Sequence, residues 1–295
     1  MKIDRQMAEK AVKTVADALG KTLQEAAEGI VNIVNENMFG ALRLVSIEQG
    51  YDPRDFALIG FGGAGPLHAN ALGKLTGSWP VIIPPGPGVL CAYGDATTRL
   101  RDEASRTFIR RFKETSGAEV LGILDELTSI AKRSLVAENV PDDQQSVEYQ
   151  LDVRYQGQGM RLSINVTHAF LESTGLAGVA KRFDDMHTQL YTFALDAEQE
   201  LVSLRAIVQG PETIVRAEQL AKGSADASKA VVDHSTVFVE GSEHAANIYD
   251  RSKLAAGNRI PGPAIVAQMD TTTLILPGHT GEVDAVGNIL IRPNV

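Results

Sequence analysis

Cysteine is almost absent: the 295 residues include one, Cys91. That excludes an intrachain disulfide and any multi-cysteine metal site, and it fits a reducing cytosol. Basic residues are the minority, 28 Lys and Arg against 37 Asp and Glu, for a net charge of -9 and a pI near 5.2. Nucleic-acid binding needs clustered cations, so this balance argues against it and toward small molecules and proteins as partners. No apolar run approaches the ~20 residues of a membrane span. The N-terminal MKIDRQMAEKAVKTVADALG lacks the apolar core of a secretory signal. The expectation is a cytoplasmic protein with no membrane contact. Missing too are a Gly-x-Ser-x-Gly nucleophile elbow, His-x-x-x-His and Glu-x-x-His pairs, and an acidic cage. No metal site built from protein ligands alone is therefore expected.

What is there is an ordinary globular composition, 44% hydrophobic and 22% charged, with length for two or three domains. Helices are predicted over 4–20 and 22–49, the second with Ile30, Ile33, Val34, Met38, Ala41, Leu42 and Val45 on one stripe and Gly50 as its stop. FALIGF (56–61) reads as a short buried strand, followed by a glycine cluster, a helix over 66–75 and a second strand at Val81-Ile82-Ile83. Strand, glycine turn, helix and strand in that order predict α/β architecture with parallel strands. From about 115 the pattern becomes α+β: a helix over 117–137, two strands flanking Gly157-Gln158-Gly159, a helix near 175–192 and a strand near 200–209. Residues 217–230 read as an exposed connection, and the tail from 231 as a small β-rich barrel or sandwich. The expected domains are 1–112, 113–222 and 223–295.

Within FALIGFGGAGPLH (56–68), glycines permit close backbone approach to a ligand, and free N–H groups at the next helix start attract negative charge. The turn is neither a Walker loop nor Gly-x-Gly-x-x-Gly. It is either a ligand cradle or a tight corner. His68 is a candidate acid, base or phosphate contact, although a lone histidine is more often structural. PPGPG (84–88) forms a rigid loop at a strand end, where α/β ligands sit. Cys91 beside it reads better as a buried small hydrophobe than as a reactive thiol. Arg154, Gln156 and Gln158 share a face near a hairpin turn, and Phe183, His187 and Tyr191 form one helix stripe that reads as packing.

Four ordered segments, DPRDFALIGFGGAGPLHANAL, VIIPPGPGVLCAYG, RYQGQGMRLSI and GPAIVAQMDTTTLILPG, span 52–278. Together they closely resemble the hydantoinase A family of N-methylhydantoinases, 5-oxoprolinases and acetone and acetophenone carboxylase subunits. The resemblance implies a lobe of the actin, sugar-kinase and chaperone ATPase superfamily, with ATP and Mg as cofactors. Gly62, Gly63, Ala64 and Gly65 would then line the adenosine side, with Asn35, Glu36 and His68 bordering the nucleotide. It also implies that ATP phosphorylates an enolate or amide oxygen to make a leaving group.

Two departures from the family pattern are Cys91, where serine is frequent, and Gln268, near which an acidic residue is frequent. A third is larger: no Asp-x-Gly-Gly-Thr phosphate loop occurs anywhere. Phosphoryl transfer rests on positioning phosphates and Mg²⁺. The chain is thus expected to be the C-terminal portion of such a protein, either a split subunit or a truncated piece, and inactive alone. The expected partners are a hydantoinase A N-terminal-type subunit carrying the phosphate loops and a hydantoinase B-like or carboxylase subunit. An acetophenone carboxylase-like subunit is the leading expectation. A hydantoin or oxoproline hydrolase and a non-catalytic interaction subunit are the alternatives.

Overall fold

The computed structural model describes residues 4–212 and 218–294. In chain order the elements are α1 (Arg5–Leu19), α2 (Leu23–Val45), β1 (Leu58–Ile59), α3 (Gly65–Thr76), β2 (Val81–Ile83), α4 (Leu90–Thr97), β3 (Arg101–Arg111), α5 (Gly117–Ala137), β4 (Ser146–Tyr155), β5 (Leu162–Val166), α6 (His168–Tyr191), β6 (Gln199–Gln209), β7 (Val231–Val239), β8 (Ser242–Asp250), β9 (Arg259–Pro261), β10 (Ala264–Ala267), β11 (Thr272–Ile275), β12 (His279–Val283) and β13 (Ile289–Pro293). Local chemistry explains many of the ends. The Asp4 side chain accepts from the Met7 N–H to start α1, and Gly20 closes it in a left-handed conformation. Thr22 and Glu25 form a reciprocal capping box at α2.

The chain forms two compact units, Met1–Ala96 with Arg216–Val295, and Thr97–Val215. In the second, an antiparallel sheet in the order β3-β6-β4-β5 packs against α5 and α6. Leu151, Val153 and Tyr155 of β4 are sealed beneath Val120 and Leu124 of α5 and Val179 and Phe183 of α6. Burying each such side chain stabilises by roughly 1.5–3 kcal/mol. α6 is two helical segments meeting at a kink, where Gly175 leaves the helical conformation with a φ of 59° and a ψ of -157°. Asp152 lies between these core positions on the other face of β4, buried, and accepts from the hydroxyls of Ser163 and Ser203, each at 2.6 Å. Asp152→Asn should lower stability by about 1–2 kcal/mol, since two charge-assisted bonds become neutral ones and the ion pair with Arg161, at 3.5 Å, is lost. A urea midpoint equal to that of the parent protein would contradict this.

The first unit has a five-stranded sheet, β1-β2-β13-β12-β9, and a four-stranded one, β11-β10-β8-β7. β1 and β2 are parallel and joined by α3, whereas β13 runs antiparallel to β2 with Ile83 opposite Ile289 and Val81 opposite Ile291. Those four side chains are fully buried with Ile260, Val266 and Ile275. The division expected at 112 and 222 is therefore corrected: β3 belongs with the middle unit, and the C-terminal strands complete the N-terminal sheet. The physical reason is that β1 and β2 are two and three residues long, too short to bury a face without further strands. The sheet is accordingly mixed, not wholly parallel.

FALIGF is also corrected. Only Leu58–Ile59 is strand, at the sheet edge, with Phe56, Ile59 and Phe61 exposed. Of α2, only Ala26 and Asn35 are buried, while Ile30, Ile33, Val34 and Val45 of the apolar stripe are exposed. Of the connection expected over 217–230, residue 217 lies outside the described residues. The remainder is tied down by the Leu220 N–H to the Ala285 carbonyl and by bridges from Lys222 to Ala256 and Asp226 to Arg259.

Candidate functional site

The glycine turn is pinned from one side and open on the other. Gly60 leaves β1 by donating its N–H to the Ile82 carbonyl (2.9 Å). A Cβ there would sit 2.5 Å from the Ala69 Cβ and 2.8 Å from the Ile83 Cδ1, so only glycine lets α3 close over the β1-β2 pair. Two residues on, Gly62 takes a φ of 88°, and its N–H donates to the Pro87 carbonyl at 2.8 Å. The Gly63 carbonyl accepts from the Thr271 hydroxyl at 2.6 Å. A Cβ at Gly62 or Gly63 would meet nothing within 4 Å, and one at Gly65 would only touch Gly60 at 3.9 Å. Ala64 caps α3 with no side-chain hydrogen bond, and Pro66 supplies no N–H in the first turn. That turn therefore presents its backbone to open space, where the partial positive charge of the helix terminus favours anions and polar groups.

Asn35 and His68 meet: Nδ1 of His68 lies 2.8 Å from Oδ1 of buried Asn35, which fixes the ring and its Nδ1 proton. His68 stands in the first turn of α3, one turn along from Gly65, so these two residues and the glycine turn share one helix start. Glu36 is exposed and has no hydrogen bond or ion pair among the described residues. Asn35 and Glu36 line a groove of about 770 Å³ with Asn32, Leu67, Lys74 and Glu240, and neither the glycines nor His68 line it. Lys74 pairs with Glu240, and that bond holds the Glu240 carboxyl below the usual carboxylate range. The structure thus places Asn35 at the junction of the turn and the groove, and Glu36 toward the groove alone.

Two supports of the turn carry no motif of their own. Asp270 accepts from the Gly88 N–H at 2.7 Å and from the Gln268 amide at 2.5 Å, so the 268–271 link holds the Pro-Gly loop through Asp270 and the glycine turn through Thr271. Burial opposes ionisation of Asp270, but these donors outweigh it and its pKa is lowered. The polar run Asp270-Thr271-Thr272-Thr273, which follows apolar β10 and enters the start of β11, is the sequence signal that marks them.

The remaining expectations divide. Cys91 is exposed on α4, a helix with no buried residue, and is not the small core residue expected from its type. Arg154 is engaged by Glu200 at 2.7 Å. His187 is buried among Tyr155, Phe183, Tyr191 and Phe193, with Nδ1 2.7 Å from the Phe193 carbonyl oxygen, as packing requires. No helix of the described residues is long and apolar enough to cross a membrane.

Comparison with known proteins adds a lineage to this geometry. Residues 1–104 match the hydantoinase/oxoprolinase family model, and residues 109–289 match the hydantoinase/oxoprolinase C-terminal domain. Caprolactamase subunit alpha of Pseudomonas jessenii is 29% identical over 99% of this chain and 43% of its own length. The solved ATP-dependent caprolactamase from that organism superimposes with a TM-score of 0.85 at 28% identity, again over 99% of this chain and 43% of that one. Acetophenone carboxylase gamma subunit of Aromatoleum aromaticum is 29% identical over 99% of this chain and 42% of its own length. An uncharacterized protein of Methanocaldococcus jannaschii is 32% identical over 99% of this chain and 41% of its own length. The chain thus spans about two fifths of these relatives.

Proposed function

Since the chain belongs to the hydantoinase/oxoprolinase family, we propose that it forms part of an ATP-dependent enzyme and supplies the adenosine side of its nucleotide site. The observation that carries this reading is the cradle itself: a turn fixed by Pro87 and Thr271, with no atom within 4 Å of where side chains at Gly62 and Gly63 would begin. A corner needed only for packing would resemble Gly60, where the space is filled. Gly62, Gly63, Ala64 and Gly65 form the wall against which the nucleoside lies. His68, oriented by Asn35, keeps Nε2 as a polar contact, whereas Glu36 faces the neighbouring groove and is left out of this contact set. When bound, ATP supplies a phosphoryl group that turns a substrate oxygen into a leaving group. The contacts to its phosphates and Mg²⁺ are assigned to a polypeptide segment or subunit beyond these residues, because no Asp-x-Gly-Gly-Thr loop occurs here.

Cyclic-amide opening is the better-supported reaction, because the caprolactamase likeness, at 28% identity with a TM-score of 0.85, exceeds that to the solved acetone carboxylase, at 20% and 0.69. Ketone carboxylation, the first expectation from sequence, keeps the support of the acetophenone carboxylase gamma subunit. The full multi-subunit assembly should release ADP from ATP when given caprolactam, hydantoin or 5-oxoproline. ADP release dependent on acetophenone or acetone with bicarbonate would replace the first reading by the second. An assembly that binds no ATP would leave the chain an interaction subunit.

A further inference from the structure

Independently of the nucleotide reading, we propose that the cavity beneath the Pro84–Val89 loop is a binding site for a small monocarboxylate with an apolar body, its carboxylate held by Arg251. The cavity measures about 870 Å³, and Pro84, Leu220, Leu254, Val283, Val286 and Ile289 are among its lining residues. Arg251 reaches into this apolar surround from the end of β8. Its Nη2 donates to the carbonyls of Ile83 and Gly287, both at 2.9 Å, and Nη1 donates to the Gln268 amide oxygen at 2.8 Å. These bonds fix the guanidinium but leave Nε–H and the second Nη1 proton without an acceptor among the described residues.

All three acceptors are neutral, and no carboxylate among the described residues stands within ion-pair distance of Arg251. The nearest anion that acts on it is Asp270, which is already engaged by Gly88 and Gln268. Desolvation lowers the pKa of the guanidinium to about 10, which records how little of its charge is compensated. A strut joining two carbonyls and an amide needs no positive charge. A half-buried cation with no counterion among the described residues favours an entering anion, and the largely apolar wall strengthens that attraction by limiting water. Glu218 also lines the cavity, but it is exposed, so solvent screens its repulsion more than it screens the half-buried guanidinium. The lining selects against phosphates and dicarboxylates, whose further charge would have no partner, and for a hydrocarbon tail.

The probes are hexanoate and its uncharged isostere hexanamide, titrated calorimetrically into the full chain. Hexanoate is expected to bind at least about tenfold more tightly than hexanamide, the size of one charge-assisted contact. Arg251→Gln should abolish that preference. Because Arg251 also ties three segments together, Val286→Trp provides a second arm: it fills the cavity from its half-buried wall, leaves Arg251 untouched, and should abolish binding of both probes at unchanged thermal stability. Equal affinity for acid and amide, no binding of either by the folded protein, or hexanoate binding that survives Val286→Trp would each overturn the proposal. None of these outcomes depends on ATP, so failure here and failure of the nucleotide reading are separable.

Discussion

Gly63→Trp is expected to weaken ATP binding by the assembled enzyme about a hundredfold, or ~2.7 kcal/mol, with no loss of thermal stability. The two halves of that expectation have one cause. Nothing lies within 4 Å of a Cβ at this position, so an indole has room to fold into and none of the protein's own packing to disturb. It would occupy the space assigned to the nucleoside. Gly63→Ala is the control, since a single methyl in open space should change affinity by less than about threefold, roughly 0.6 kcal/mol. Isothermal titration of the assembly, with thermal unfolding of each variant alongside, decides the matter. Full-strength ATP binding by Gly63→Trp would remove the turn from the nucleotide site and leave it a structural corner.

Gly60→Val, three residues earlier, should behave in the opposite way and cost about 3 kcal/mol of stability, at the upper end of ordinary overpacking. The Cβ alone would meet the Ala69 Cβ at 2.5 Å and the Ile83 Cδ1 at 2.8 Å, distances that side-chain rotation at Ala69 cannot relieve. Relief requires α3 to move away from β1 and β2, which would disturb the core shared by Ala69, Val81, Ile83 and Ile289. A fall in the denaturant midpoint with unchanged slope is the expected signature. An unchanged midpoint would mean that α3 is not seated on the sheet as described. The two glycines together separate the packing use of the turn from its binding use.

Recognition of the family came from contiguous segments, and contiguity is what a sequence displays. The glycine turn, the Pro-Gly loop and the QMDTTT run were each visible, and so were the helix caps at Asp4 and Thr22, which depend on residues within three positions of one another. What joins the segments was not visible. The Thr271 hydroxyl reaches the Gly63 carbonyl across 208 positions, and Asp270 reaches the Gly88 N–H across 182. No periodicity encodes such a pairing, because it depends on which strand edges meet and not on local pattern.

Burial is not legible in the sequence for a related reason. The stripe on α2 and the run FALIGF are apolar in the right pattern, yet hydrophobicity marks surface suited to burial and does not identify what buries it. Ile33 is 64% exposed and Ile59 52% exposed in the chain as it stands. Cys91 shows the same limit for a single residue: its type favours the interior, but α4 has no interior face.

By itself the sequence determined the family, the α/β character of the first unit, the α+β character of the second and the positions of the turns, all of which follow from short-range chemistry and spacing. The tertiary structure decided that the last strands complete the first sheet, that Asn35 and His68 meet, and that Arg251 stands in a largely apolar cavity with no carboxylate at ion-pair distance among the described residues. The physical reason is that closing a sheet or burying a charge depends on groups distant in sequence, whose free energy exists only once the chain has brought them together.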